Sequence, residues 1–316
     1  MCTAIYKNGY VGRNLDVCKD YGECVIITPR KYVLSFRKHD NYNEHYAMIG
    51  IGTVSLGYPL YFDAVNEHGL YMAGLNYVGN AKYQPPIENK VNIAHFELIP
   101  YILGKCKSVK EASDEFANIN ITDLPFMRDM PPAQLHFFLA DKIQRLTVEP
   151  DQTGINIYDN PVCVLTNNPS FPSQMFNLNN YANLSPNQPI GTSFERYTPS
   201  LYSEGMGAIG LPGDLSSQSR FVRAAFHTTN ISSINGLTSL FHLLASVSMP
   251  EGSVRVKNSY ERTEYCGVVS LSTMTYYYRA YNSCGISSVR LFSENLDTSS
   301  LITYPVLKNT EPNYQN

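Results

Sequence analysis

A cysteine stands directly behind the initiator methionine in the opening stretch MCTAIYKNGYVGRNLD. With Met1 removed, Cys2 carries a thiol and a free α-amine on one residue. An α-amine titrates at about 7.7–8.0, so a good fraction is unprotonated at neutral pH and can serve as base for the thiol beside it. One terminal residue then supplies both nucleophile and base, with no histidine required. A small residue in second position permits removal of the methionine, which is expected here.

The neighbours strengthen this reading. Thr3-Ala4-Ile5-Tyr6 alternates as a strand does, and Asn8-Gly9 is turn material, so Gly12-Arg13-Asn14-Leu15-Asp16 returns on a second strand beside residue 2. An arginine near a thiol favours the thiolate, which gives Arg13 a role. A carboxylate beside the terminal amine can hold and orient it, which gives Asp16 one. On position alone, Arg13 and Asp16 read equally well as a local ion pair at a strand end.

Other chemical signals are weak. Gly205-Met206-Gly207-Ala208-Ile209-Gly210 matches G-x-G-x-x-G, but Leu211-Pro212-Gly213-Asp214 follows and prevents the helix that a dinucleotide site requires. A nucleotide-binding protein is therefore a distant alternative. The seven histidines form no HExxH, and no G-x-S-x-G is present. His136 lies in an apolar strand and reads as a hydrogen-bonded core residue rather than a base. No CxxC and no cysteine–histidine spacing suggests zinc, so no metal is expected.

The elements that must position Cys2 read as strands, helices, strands, helices, strands, an α+β order with large sheets. Strand signals fall at 25–29, 47–54, 60–65, 70–78, 135–141, 145–150, 155–159 and 162–167, and again from Tyr260 to Pro305. Helical patterns cover 93–105, the capping-box segment from Ser108 to about Ile119, 216–229 and 236–248. The Pro, Asn, Ser and Gly-rich stretch from Asn168 to about Gly213 reads as a long loop region. No repeat or linker divides the chain, so residues 1–316 are expected to form one domain.

Bulk composition sets further bounds. The 316 residues are 43% hydrophobic and 16% charged, with net charge −3 and pI near 6.2. No basic field is available for nucleic acid. No apolar run reaches 18 residues and no secretory signal is evident, so neither membrane insertion nor export is expected. Seven dispersed cysteines without that signal suggest reduced thiols in a cytoplasm.

Eight blocks then occur in order: MCTAI, GRNLD, YPLYFDAVNEHGL, MAGLNY, FELIPYILG, YDNPVCVLTNNPSF, GLPGDLSSQSRFVRAAF and YYYRAYNS. Together they resemble the choloylglycine hydrolase family of N-terminal nucleophile hydrolases, over essentially the whole chain and closest to its bile salt hydrolases. The resemblance implies a four-layer αββα sandwich of two antiparallel sheets. It implies hydrolysis of the amide joining a bile acid to glycine or taurine through a thioester on Cys2, with no cofactor and commonly as a tetramer. The catalytic set it carries over is Cys2, Arg13, Asp16, Asn76, Asn167 and Arg220. Its steroid pocket falls on Leu15, Phe126, Met130 and Leu135. Asn167 (side-chain amide) and Asn76 (backbone N–H) are the implied oxyanion donors. Without the family, Arg220 would read as a helix surface charge.

Tyr101 and Phe137 replace tryptophans common among relatives. Tyr71 replaces a small residue and is expected to crowd the adjacent strand. Glu204 stands where some relatives carry arginine, and would disfavour taurine conjugates if it lined the mouth of the site. Penicillin V acylase, of the same family, is the alternative activity; Asn76 leans toward the bile salt branch. A catalytically inactive scaffold, for instance through retention of Met1, is the remaining one.

Overall fold

A computed structural model describes residues 1–232 and 236–315. Two strands open the chain, β1 (Cys2–Lys7) and β2 (Tyr10–Val17). β3 (Cys24–Thr28), β4 (Met48–Ser55), β5 (Tyr58–Asn66) and β6 (Tyr71–Asn76) follow. Next come β7 (Val91–Ala94), helices α1 (Leu98–Lys105) and α2 (Val109–Phe116), and β8 (Ile119–Thr122). β9 (Leu135–Ala140), β10 (Arg145–Asp151), β11 (Gly154–Asp159) and β12 (Val164–Leu165) lead to α3 (Phe171–Asn177), α4 (Ser217–Asn230) and α5 (Gly236–Ala245). β13 (Val254–Val256), β14 (Ser259–Ser270), β15 (Thr275–Ala280), β16 (Ser287–Arg290) and β17 (Ile302–Pro305) complete the chain.

The strands form two large antiparallel sheets. One runs β12-β1-β2-β14-β15-β16, with β13 attached to β14; the other runs β11-β10-β9-β6-β5-β4-β3-β17. Side chains alternate between faces along each strand, and this alternation builds the layers. Val25, Ile27, Ile49, Ile51, Ala73, Leu75 and Phe138 pack between the sheets. Their neighbours Ile26, Met48, Met72, Phe137 and Leu139 turn outward against α1 and α2. Ala224 of α4 and Leu240, Leu243 and Leu244 of α5 cover the outer face of the other sheet. The architecture is the αββα sandwich expected from the resemblance.

Three segments differ from the sequence reading. Residues 93–105 are not one helix: α1 begins at Leu98, which places Pro100 in the first turn, where its missing N–H costs nothing. Val91–Ala94 instead pair in parallel with Ile119–Thr122. That pairing also ends α2 at Phe116, although its cap forms as expected, with the Glu111 N–H donating to Ser108 Oγ at 3.2 Å. The long loop region contains α3 and two short 3-10 turns.

The glycine motif has a packing role. Gly207 lies so close to the carbonyl oxygens of Asn187 and Ser185 that a Cβ would overlap them. The three-residue turn it occupies opens no helix that could face a phosphate. Among the described residues, no helix is long and apolar enough to cross a membrane.

Candidate active site

The first hairpin places Cys2. Asn8 (φ 50) and Gly9 (φ 80) both adopt the left-handed conformation, as a tight two-residue turn between right-twisted strands requires. The register sets Cys2 opposite Leu15 and Ala4 opposite Arg13. Cys2, Arg13 and Leu15 therefore share the face turned to the other sheet, whereas Thr3, Asn14 and Asp16 face the α4/α5 layer. Arg13 is wholly buried, and its Nη2 donates to Cys2 Sγ at 2.7 Å. Its Nη1 donates to the carbonyls of Phe62 and Gly74 at 2.9 and 2.8 Å, which fixes the guanidinium. Burial pulls the Arg13 pKa down, but Cys2, Tyr265 and Asp63 outweigh it, and the net shift is upward.

The short strand β12 pairs with the outer edge of β1 and so delivers Asn167 to the terminus. The Cys2 N–H donates to Asn167 Oδ1 at 2.8 Å, and Asn167 Nδ2 donates to the Asn76 carbonyl at 2.7 Å. Tyr77 gives its N–H to Gln134 across the β6–β9 ladder. By the alternation of an antiparallel pair, Asn76 turns both its N–H and its carbonyl the other way, toward Asn167.

Arg220 comes from α4, whose N-cap Ser216 accepts the Ser219 N–H. It is fully buried, so it is not a helix surface charge. Nη1 donates to the Cys2 carbonyl and to Thr3 Oγ1, at 2.7 and 2.6 Å, and Nη2 donates to Asn167 Oδ1 at 2.8 Å. It makes no hydrogen bond to the sulfur; it ties the Cys2 peptide to Asn167.

Asp16 is also fully buried. Its Oδ1 accepts from Thr263 Oγ1 at 2.6 Å, its Oδ2 has no hydrogen-bond partner among the described residues, and Arg220 Nη1 lies 3.9 Å from it. Burial pushes the carboxyl upward, opposed by Arg220 and by the terminal amine. Met1 is present in this chain, and its amine donates to the Asp16 carbonyl oxygen and to Glu261 Oε1 rather than to the Asp16 carboxylate.

Cys2 and Arg13 form part of the wall of a cavity of about 250 Å³ that reaches from the β1–β2 hairpin to the start of α1. Leu15, Phe126, Met130 and Leu135, the four pocket residues expected from the resemblance, all line it. Phe62, Phe96, Ile99 and Phe137 extend the apolar wall. Tyr71 does not crowd its neighbour: it is buried and donates its hydroxyl to Asp63 Oδ2 at 3.1 Å. Tyr265 and Tyr276 donate to the same carboxylate. Glu204 is exposed, bonds Gln188 Nε2 at 2.8 Å and is not among the residues lining the cavity. The premise for a taurine bias is therefore absent in this chain.

Sequence reasoning missed Thr263, Asp63 and His95. Thr263 pairs with Asp16 across the β2–β14 ladder, a partnership no local pattern encodes. His95 lines the cavity, its ring stacked on Tyr83 at 5.6 Å and its Nε2 accepting the Ala133 N–H at 3.2 Å. A polar ring inside the apolar run NIAHFELI was the available signal.

Burial pulls His95 down to about 4, so it stays neutral where an unfolded histidine would protonate, near 6.5. Between those values the unfolded chain holds more protons than the native one, so stability falls as pH falls. The contribution is whole above about 6.5 and is lost by about 4, on the order of 3 kcal/mol. Urea unfolding of His95→Gln is expected to weaken less than wild type between about pH 7 and about pH 4.5. Parallel pH dependences would contradict this.

The arrangement suits acyl transfer: the Cys2 thiol lies beside the buried Arg13 guanidinium, the Asn167 carboxamide bonds the Cys2 N–H and the Asn76 carbonyl, and a mostly apolar cavity adjoins them. A model of the linear amide C–N hydrolases, choloylglycine hydrolase family, matches residues 2–304. A bile salt hydrolase/transferase of Lactiplantibacillus plantarum is 47% identical, over 97% of each chain. A conjugated bile acid hydrolase of Lactobacillus gasseri is 37% identical, over 96% of this chain and 100% of that one. A crystal structure of a variant conjugated bile acid hydrolase from Clostridium perfringens covers 100% of both chains, with TM-score 0.94 and 31% identity. Penicillin V acylase from Agrobacterium tumefaciens, 20% identical with TM-score 0.77, shares the fold. By sequence and by architecture together, this chain belongs to the choloylglycine hydrolase family of linear amide C–N hydrolases.

Proposed function

We propose that this protein hydrolyses conjugated bile salts at the amide joining the bile acid to glycine or taurine. One observation carries the reading: the Cys2–Arg13 pair lies in the wall of a mostly apolar cavity. A steroid nucleus is a rigid apolar slab and needs such a wall with few polar groups. Leu15, Phe126, Met130 and Leu135 form part of it.

Removal of Met1 makes Cys2 N a free amine and releases the Asp16 carbonyl oxygen and Glu261 from their present bonds. Asp16 Oδ2, a buried acceptor without a partner, then receives and orients that amine. The amine takes the thiol proton, and the Arg13 guanidinium stabilises the negative sulfur. The sulfur attacks the amide carbonyl, a C–S bond forms, and the carbonyl oxygen becomes an oxyanion held by Asn167 Nδ2 and the Asn76 N–H. The C–N bond breaks as the Cys2 amine hands its proton to the leaving nitrogen. Water then opens the thioester, releasing bile acid and restoring the thiol; an amine could open it in the same way. Arg220 acts through others, holding the Cys2 carbonyl and Asn167 Oδ1 in place.

The test is a paired assay. A glycine-conjugated bile salt is expected to show kcat/KM at least about tenfold above penicillin V, a difference of about 1.4 kcal/mol in transition-state stabilisation. The reverse order would overturn the substrate assignment.

We also propose a tetramer in a reducing, cytoplasmic setting. All seven cysteines are free, and Ile190, Phe194 and Tyr202 expose 97%, 67% and 81% of their surface within residues 190–202, apolar side chains that a subunit interface would cover. Light scattering on purified protein is expected to give four chains; a monomer would contradict it.

A further inference from the structure

We propose that His136, backed by Glu149, is a positioning residue that holds the two oxyanion donors in register. The two donors reach the site from different sheets. Asn76 ends β6, and Asn167 follows β12. One direct hydrogen bond, from Asn167 Nδ2 to the Asn76 carbonyl at 2.7 Å, joins them, and misplacement by about 1 Å can cost about 10²-fold in rate.

His136 spans that gap. It sits on β9, wholly buried, two residues along the ladder from the Tyr77–Gln134 bond. Its ring stacks on Tyr77, the residue after Asn76, with centroids 4.4 Å apart and planes inclined by 4°. Its Nε2 lies 3.0 Å from the carbonyl oxygen of Thr166, the residue before Asn167. A carbonyl oxygen only accepts, so Nε2 carries the hydrogen. Nδ1 shares the other ring bond with Glu149 Oε1 at 3.1 Å, which fixes the ring plane. The same carboxylate oxygen accepts the Phe171 N–H at 2.9 Å at the start of α3. From that helix Gln174 Nε2 reaches the Asn167 carbonyl at 3.2 Å. One ring thus contacts the residue next to each donor, the Tyr77 side chain on one side and the Thr166 carbonyl on the other, and its counter-group anchors the segment beyond.

This proposal rests on the reading above, and its test separates the two. His136→Phe keeps the stacked ring and removes both hydrogen bonds. With a glycine-conjugated bile salt, kcat is expected to fall about 10- to 100-fold with KM within about twofold. Alkylation of Cys2 by iodoacetamide forms no oxyanion, so its rate is expected to stay within about twofold of wild type. His136→Gln, which can still donate to Thr166, is expected to recover part of kcat. Wild-type kcat in His136→Phe, or equal loss of turnover and alkylation, would overturn the proposal while leaving the hydrolase reading intact. Should His136→Phe fail to fold, Tyr77→Leu takes its place: it removes the stack together with the hydroxyl's hydrogen bonds with Asn80 and Glu149, and a kcat unchanged from wild type would overturn the proposal equally. A wild-type enzyme inactive on the conjugate would overturn both.

Discussion

Cys2→Ala is expected to fold normally and to lower kcat by about 10⁴- to 10⁶-fold, the scale seen when a catalytic nucleophile is deleted from a preorganised site. The fold should survive because the sulfur's one hydrogen bond is to Arg13, and Arg13 keeps its carbonyl partners Phe62 and Gly74. The residue is 1% exposed, so alanine leaves a void about the size of one sulfur, which costs on the order of 1 kcal/mol. Turnover cannot survive on the same reasoning. The oxyanion donors and the cavity would still bind substrate, but no atom would be left to form the acyl bond. Thermal unfolding and steady-state kinetics on the same preparation check both halves. A folded Cys2→Ala variant retaining more than about 1% of wild-type kcat would contradict the mechanism.

Asn167→Ala is expected to cost about 10³-fold in kcat, at the upper end of the range for loss of one oxyanion donor. The upper end is expected because Asn167 makes three hydrogen bonds at once. Its Nδ2 bonds the Asn76 carbonyl, which fixes the neighbouring donor, while its Oδ1 accepts from both Cys2 N and Arg220 Nη2. Alanine deletes the donor, frees Asn76 and leaves the buried Arg220 guanidinium short of an acceptor. Asn167→Asp separates these effects. It keeps acceptors for Cys2 and Arg220 but lacks the amide hydrogens, so kcat should stay low while stability returns toward wild type. Recovery of kcat in Asn167→Asp would contradict the donor role.

How far the site was legible in the sequence depended on distance along the chain. The β1–β2 hairpin could be read directly, because Asn8-Gly9 specifies the turn and the turn specifies which residues meet. Arg13 therefore belonged beside Cys2 on local grounds. Arg220 did not: its capped helix reads as amphipathic, and nothing in its pattern says that its charge is buried against a peptide 218 positions away. Asn76 and Asn167 were reached only through family resemblance. Their meeting depends on two sheets packing face to face, and strand registers across that distance are set by the whole core. The helix expected over 93–105 failed for a related reason. Val91–Ala94 can serve either element locally, and the parallel partner at Ile119–Thr122 decides between them. The capping box at Ser108 and the capped helix at Ser217–Asn230 were legible because hydrogen bonds within a few residues determine them.

In the proposed mechanism the liberated Cys2 itself carries the bile acyl group. Rapid acid quench during turnover of a glycine-conjugated bile salt, followed by intact-mass and peptide analysis, tests it most directly. The expected result is a chain lacking Met1 whose N-terminal peptide carries the bile acyl group on Cys2, absent from Cys2→Ala. Steady turnover by chains that retain Met1, or an acyl group mapped to any other residue, would contradict it.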